Sequence, residues 1–198
     1  MMDIDPELQA FIPLFPKEDL TDPVAARKTL AELVAAVPAP DTADLEIEDR
    51  TVPADPDVPV RIYRPHDAHG AIVWLRGGGF VMGDLDTEHP WAARLAGGSG
   101  AVVVSVGYRR APEQPFPAAL DDAYAALAWT AGHAAELGTG PERIAVGGQA
   151  AGAGLAAALA LRPVTSTGRR SASSCSTSPN RTTGSRPGRR ATSPARPS

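Results

Sequence analysis

Residues 147 to 154 read Gly147-Gly148-Gln149-Ala150-Ala151-Gly152-Ala153-Gly154, directly after the apolar run Arg143-Ile144-Ala145-Val146. Small residues at this spacing suit a sharp strand-to-helix turn that presents a nucleophile clear of the backbone, in the pattern Gly-x-Ser-x-Gly. The chemistry of such a turn is acyl transfer, with the serine hydroxyl attacking a carbonyl carbon. Gly148 and Gly152 occupy the two glycine positions, and Ala150 stands between them. A methyl group cannot attack, and no serine elsewhere in the chain lies in that pattern. The turn that announces the chemistry lacks the atom that performs it.

Acyl transfer by a serine also needs a base, an orienting carboxylate, and backbone N–H groups aimed at the developing oxyanion. Trp74-Leu75-Arg76-Gly77-Gly78-Gly79-Phe80 contains a triple glycine, which on its own fits an amide-donor loop, a phosphate cradle or a plain turn. The titratable candidates read mostly as structural. His133 lies on a helix upstream of the turn and His89 at the start of another, where a packing role outweighs general base work. Asp121 and Asp122 fall in the first turn of a helix, where an anion meets the helix dipole favourably. Ser105 is inside an apolar strand. Cys175, the single cysteine, lacks a neighbouring base or positive pocket to lower its pKa, and excludes both an internal disulfide and a cysteine zinc cluster.

Alternating segments are expected to position these residues. Asp22 with Pro23 predicts a helix start, and Leu30, Leu33, Val34 and Val37 an amphipathic stripe ending at Pro38. Leu45 to Glu48 and Val58, Val60, Ile62 alternate as half-buried strands joined across Pro53–Pro59. Ala71 to Leu75 and Ala101 to Val106 are apolar runs suited to parallel strands covered on both faces. Between them Trp91 to Ala96 is helix-like, with Gly97-Gly98 as its stop. Ala118 to Leu137 reads as a helix with Leu120, Tyr124, Leu127 and Ala128 on one face and Gly138 as its end. Arg143 to Val146 and Ala151 to Leu161 complete a strand–helix alternation that argues for an α/β fold with a mostly parallel sheet.

Four segments in this order carry a resemblance. They are the triple-glycine segment, Asp86-Thr87-Glu88-His89, Val106-Gly107-Tyr108-Arg109-Arg110-Ala111-Pro112-Glu113 with Pro115-Phe116-Pro117-Ala118-Ala119, and the Gly148–Gly152 turn. The chain over about residues 40 to 161 resembles the hormone-sensitive-lipase branch of the α/β-hydrolases, carboxylesterases with an HGGG motif. The resemblance implies a partial α/β-hydrolase fold, a mostly parallel sheet with flanking helices, lacking the C-terminal strands. It implies an ancestral activity of carboxylic ester hydrolysis through an acyl-serine, acting on a small-molecule ester without cofactor or metal. The oxyanion donors would be the amides of Gly78, Gly79 and Ala151. In this family the acid and then the histidine follow the nucleophile in sequence, yet no acid follows Glu142 and no histidine follows His133. Arg76 stands where the family has the histidine that steadies the glycine loop. Gly107 replaces an aspartate, Arg110 an apolar residue, and Gln149 the residue before the nucleophile. No catalytic set is intact, so the expectation is an inactive chain, the alternative being a non-catalytic module that binds a ligand in what remains of the pocket.

Three segments are therefore expected: 1–39 as a helical, cap-like part, 40–162 as an incomplete hydrolase domain, and 163–198 as a disordered tail. The net charge of −4 conceals the last boundary. Up to Leu161, 11 basic residues against 23 acidic ones leave −12, whereas residues 162–198 hold 8 Arg and no acid. Nine Ser and six Thr crowd the same tract with almost no apolar residue, too little to offset its ordering entropy. The abrupt change at Arg162 suggests an out-of-frame translation, which would leave the Ile144–Val146 strand with an unpaired edge. Dispersed arginines without Tyr, Trp or Phe argue against nucleic-acid binding by the tail. No leader-like N-terminus and no apolar run near the ~20 residues of a membrane span point to a cytoplasmic chain.

Overall fold

Val58–Pro65 and Leu45–Val52, both rich in residues that suit a pleated surface, pair as an antiparallel hairpin with Val52 opposite Val58. The structure is a computed structural model that describes residues 5–9 and 21–161 and the backbone of 174–176. The hairpin strands are β1 (Leu45–Val52) and β2 (Val58–Pro65), the first four residues longer than its Leu45–Glu48 pattern. Three parallel strands follow: β3 (Ala71–Leu75), β4 (Val102–Val106) and β5 (Ile144–Gly148). With β6 (Ser174–Ser176) they form one six-stranded sheet in the order β1-β2-β4-β3-β5-β6. Only the pairings of β2 with β1 and with β4 are antiparallel.

The chain moves from β3 outward to β4, then crosses back over β3 to reach β5. Helix α3 (Leu85–Ser99) makes the first connection and α4 (Ala118–Gly132) the second. Opposite steps with crossovers of one hand place the two helices on opposite faces. Accordingly Val102, Val104 and Val106 face a core shared with α4 and with α5 (Ala151–Leu161). Val103 faces Tyr63, Trp74 and the alanines of α3. The crevice outside the carboxyl ends of β3, β4 and β5 is where such a reversal opens a site.

Helix boundaries depart from the sequence expectations in ways that packing explains. Helix α3 runs through Gly97-Gly98 and stops at Gly100, which takes φ = +65°. A helical glycine costs only ~1 kcal/mol relative to alanine, and burial of Ala92, Ala93 and Ala96 against the sheet outweighs it. Its start is fixed by a reciprocal cap, Asp84 accepting from Thr87 N while Asp84 N donates to Thr87 Oγ1. Helix α4 ends at Gly132, short of Leu137, and buries Asp122, Ala123, Ala126, Leu127 and Thr130; Leu120 and Tyr124 are only partly covered. Helix α2 (Pro23–Ala35) begins as expected, with Asp22 accepting from Val24 N and Ala25 N. Its Leu30–Val37 stripe is not its buried face, however: Leu33 and Val37 are exposed and Ala26 alone is buried. A four-residue helix, α1 (Pro6–Gln9), precedes it.

The expectation of an unpaired β5 edge needs correction over three residues. Ser174–Ser176 pairs in parallel with β5, Cys175 opposite Gly147, so β5 is not an unpaired edge over Val146–Gly148. Strand pairing uses backbone groups alone, which a serine-rich segment possesses as fully as an apolar one. The rest of 163–198 lies outside the described residues. Among those described, no helix is long and apolar enough to cross a membrane. No group of three or more His, Cys, Asp or Glu among them is placed to hold a metal ion.

Candidate functional site

Strand β5 ends at Gly148 and helix α5 starts at Ala151, leaving Gln149 and Ala150 to make the turn. Gln149 N donates to Leu75 O (3.1 Å), which ties the turn to the end of the central strand. The approach is close enough to dictate both glycines. A β-carbon on Gly148 would lie 2.5 Å from the Gly152 backbone and 2.6 Å from Leu75 O. One on Gly152 would collide with the carbonyl oxygens of Leu75 and Arg76. Ala150 between them has φ = +48°, a left-handed conformation that an L-residue adopts under constraint. The turn therefore keeps the strained geometry of a nucleophile elbow while its side chain is a methyl.

The glycine loop faces this turn, a β-carbon on Gly77 coming 3.4 Å from Gln149 O. Gly78 and Gly79 have φ of +110° and +60°, and a β-carbon on Gly78 would strike Met82 O. Phe80 shares the positive φ, at +66°, and is partly exposed. Val81 N and Met82 N both donate to Gly78 O, folding the loop back on itself (3.0 and 2.8 Å). Among the described residues the amides of Gly78, Gly79 and Ala151 donate to no protein acceptor. Loop and turn thus carry three amides with no described protein acceptor.

Arginines brace the loop from outside. Arg27, on α2, donates through Nε to Val81 O (2.8 Å) and through Nη2 to Ala111 O (3.0 Å). The same guanidinium clasps Glu113 with two bonds of 2.7 Å and holds that carboxyl down, at about 2. Arg110 Nη1 donates to Gly83 O (2.9 Å). Arg76 is 2 % exposed: its Nη2 donates to Tyr108 O (2.9 Å) and its guanidinium lies 3.6 Å above the Tyr108 ring. Tyr108 OH in turn donates to Arg76 O (2.8 Å). Burial pushes Arg76 below the ordinary guanidinium range.

The remaining candidates are drawn into structural contacts. Asp122 is buried and accepts from Arg109 N and Nη2, both at 2.7 Å, rather than meeting only its own helix dipole. His89 Nδ1 lies 3.0 Å from Tyr63 OH, and burial lowers its pKa. His133 caps α4, its Nδ1 2.8 Å from Trp129 O and its ring stacked on that indole at 4.5 Å. Ser105 is buried with Oγ unpartnered. The structure brings neither histidine to Ala150.

Two participants escaped sequence reading. Arg27 sits far from the motifs in sequence and carries no pattern of its own. Glu88 is buried and accepts from Trp74 Nε1 at 2.6 Å; burial raises its pKa to about 7. A glutamate in the first turn of a helix is ordinarily read as a dipole partner, so only the fold shows its burial.

A family profile described as alpha/beta hydrolase fold matches residues 72–196. Carboxylesterase NlhH of Mycobacterium tuberculosis is 45% identical over 165 residues, spanning 80% of this chain and 51% of that protein. An arylesterase of Saccharolobus solfataricus is 32% identical over 171 residues, or 81% of this chain and 55% of its own. Among solved structures, Bacterial Heroin Esterase superposes with a TM-score of 0.71 at 37% identity, covering 80% of this chain and 52% of that one. The chain spans about half the length of the relatives it matches.

Proposed function

The chain belongs to the α/β-hydrolase fold family, in its hormone-sensitive-lipase-like branch, and from that premise we propose that it derives from acyl-serine carboxylesterases but does not turn over esters. Ala150 carries this reading, because it occupies the constrained elbow position between two sterically required glycines and offers no nucleophilic atom. The amides of Gly78, Gly79 and Ala151 are the oxyanion donors in this proposal, supported by their having no described protein acceptor. In a working relative these donors stabilise the charge that develops on the carbonyl oxygen as serine attacks. Here they bind a carbonyl oxygen without a reaction to promote.

Hydrolysis of 4-nitrophenyl acetate by the purified chain tests the reading. The rate should match that of an equal mass of a non-enzymatic protein, with no burst of nitrophenolate. Ala150→Ser should raise it less than tenfold, since within these 198 residues no histidine follows His133 to act as base. Steady turnover by the unaltered chain overturns the proposal. Efficient turnover by Ala150→Ser would show that base and carboxylate come from residues not identified above.

The free amides also favour a second reading, a ligand-binding module that keeps part of the pocket. Saturable shifts of the Gly78, Gly79 and Ala151 amide resonances on adding the unhydrolysed ester would support it; unchanged spectra would remove it.

A further inference from the structure

Arg76 poses an electrostatic problem that its contacts leave unsolved. A guanidinium 2 % exposed has two backbone carbonyls and the Tyr108 ring for company, and no carboxylate within pairing distance among the described residues. Its Nε donates to nothing. Glu88 and Asp84 act on it only at a distance, and a buried cation with no anion in contact is costly, carbonyl dipoles offsetting only part of that cost.

The side chain borders a cavity of about 600 Å³ at the carboxyl end of β4, within the size range of small-molecule sites. Arg27, Arg61 and Arg109 also border it, and each is matched by an acid: Glu113, Asp49 with Asp86, and Asp122. Arg110 borders it as well; its side chain is hydrogen-bonded to Gly83 O, with Asp84 and Glu113 near enough to act on it electrostatically. The acid left on the wall, Asp84, is engaged by its helix cap. Two guanidiniums therefore border one cavity with no carboxylate in direct contact with either among the described residues, Asp84 acting on both only at longer range. Gly83, at φ = +82°, packs against the Nε side of Arg76, where a β-carbon would sit 3.1 Å from Nε and Cδ, so Nε is buried as well as unpartnered.

We propose that this cavity binds a small organic carboxylate, seated between Arg76 and Arg110. Guanidinium groups pair with the planar carboxylate through parallel N–H donors. The N-terminal turn of α3, whose Leu85 and Asp86 also border the cavity, adds a positive dipole end. Phosphate and polyphosphate suit it less, because Asp84, Asp86 and Glu113 on the same wall repel multiple charge. The bound acid also touches the loop's foundations, as Arg76 precedes Gly77 and Arg110 holds Gly83.

Titration of the isotope-labelled full chain with sodium benzoate, at constant ionic strength, tests this by amide NMR. Saturable shifts are expected at Gly83, Gly107 and Arg110, with neutral benzamide at least tenfold weaker. Arg110→Gln, at a partly exposed position, should keep a folded spectrum and weaken benzoate at least tenfold; Arg76→Met should abolish binding where it folds. Absence of saturation, equal binding of benzamide, tighter binding of inorganic phosphate, or undiminished affinity in Arg110→Gln overturns the proposal. Shifts confined to Gly78, Gly79 and Ala151 would do the same, since they place benzoate at the elbow.

Discussion

Ala150 sits at φ = +48°, a conformation that costs an L-residue about 1–2 kcal/mol. Ala150→Gly should relieve that strain and lose part of the gain to a more flexible unfolded chain, for a net stabilisation of about 0.5 kcal/mol in urea unfolding. Gly152→Ala should act oppositely, destabilising by about 3 kcal/mol or more, because its β-carbon meets the Leu75 and Arg76 carbonyls. Equal stability of the two variants would mean that the elbow is looser than described. Glu88 supplies a pH test. Its folded pKa, raised to about 7, exceeds its unfolded value, so its contribution is full below about 4.5 and is lost as pH rises toward 7. His89, shifted down by burial, drives stability the other way as the solution is acidified. The informative quantity is therefore the difference between wild type and Glu88→Gln, which keeps an acceptor for Trp74 Nε1. Glu88→Gln should gain on wild type by on the order of 2–3 kcal/mol between pH 5 and 8; parallel pH profiles would remove the assignment.

At the scale of elements, the loop after β4 is a junction rather than a connector. Arg109 ties it to α4 through buried Asp122, and Arg27 ties it to α2 through Glu113 and Ala111 O. Asp122→Asn leaves Arg109 without its carboxylate and should cost about 2 kcal/mol in denaturant unfolding, part of Arg109 remaining in water. Arg27→Ala should act locally, speeding hydrogen exchange at Val81 and Met82, whose amides hold the loop closed, more than at Val103 or Val104 in β4. Uniform acceleration in both regions would instead make Arg27 a global stabiliser. Much of this scale was legible beforehand. The β1–β2 hairpin, the three parallel strands and α5 followed from alternation, apolar runs and glycine placement. Boundaries of α3 and α4 did not, because glycine pairs and terminal turns are decided by what the neighbouring face buries. The exposed Leu33 on α2 shows the same limit, since a helical stripe identifies a possible buried face and cannot say that a partner lies opposite.

At the scale of the whole sheet, β1 and β6 form its two edges. Strand β6 covers the outer side of β5 at Val146–Gly148, immediately before the elbow. Deleting residues 162–198 should re-expose that edge, speed hydrogen exchange in β5 and promote association through it. Unchanged exchange in β5 would show that β6 contributes nothing to its protection. The sequence alone determined the α/β class, the family likeness, the glycine-flanked turn after β5 and the alanine between its glycines. These are local matters, set by residue type and spacing along a few turns of chain. Tertiary structure alone decided that Arg76 is a buried cation with no acid in ion-pair contact among the described residues, that Arg27 braces the glycine loop, and that Asp122 and Glu88 are interior carboxyls. Each of those depends on which surfaces the fold brings together and which it dries, and neither desolvation nor long-range pairing is written in the spacing of residues.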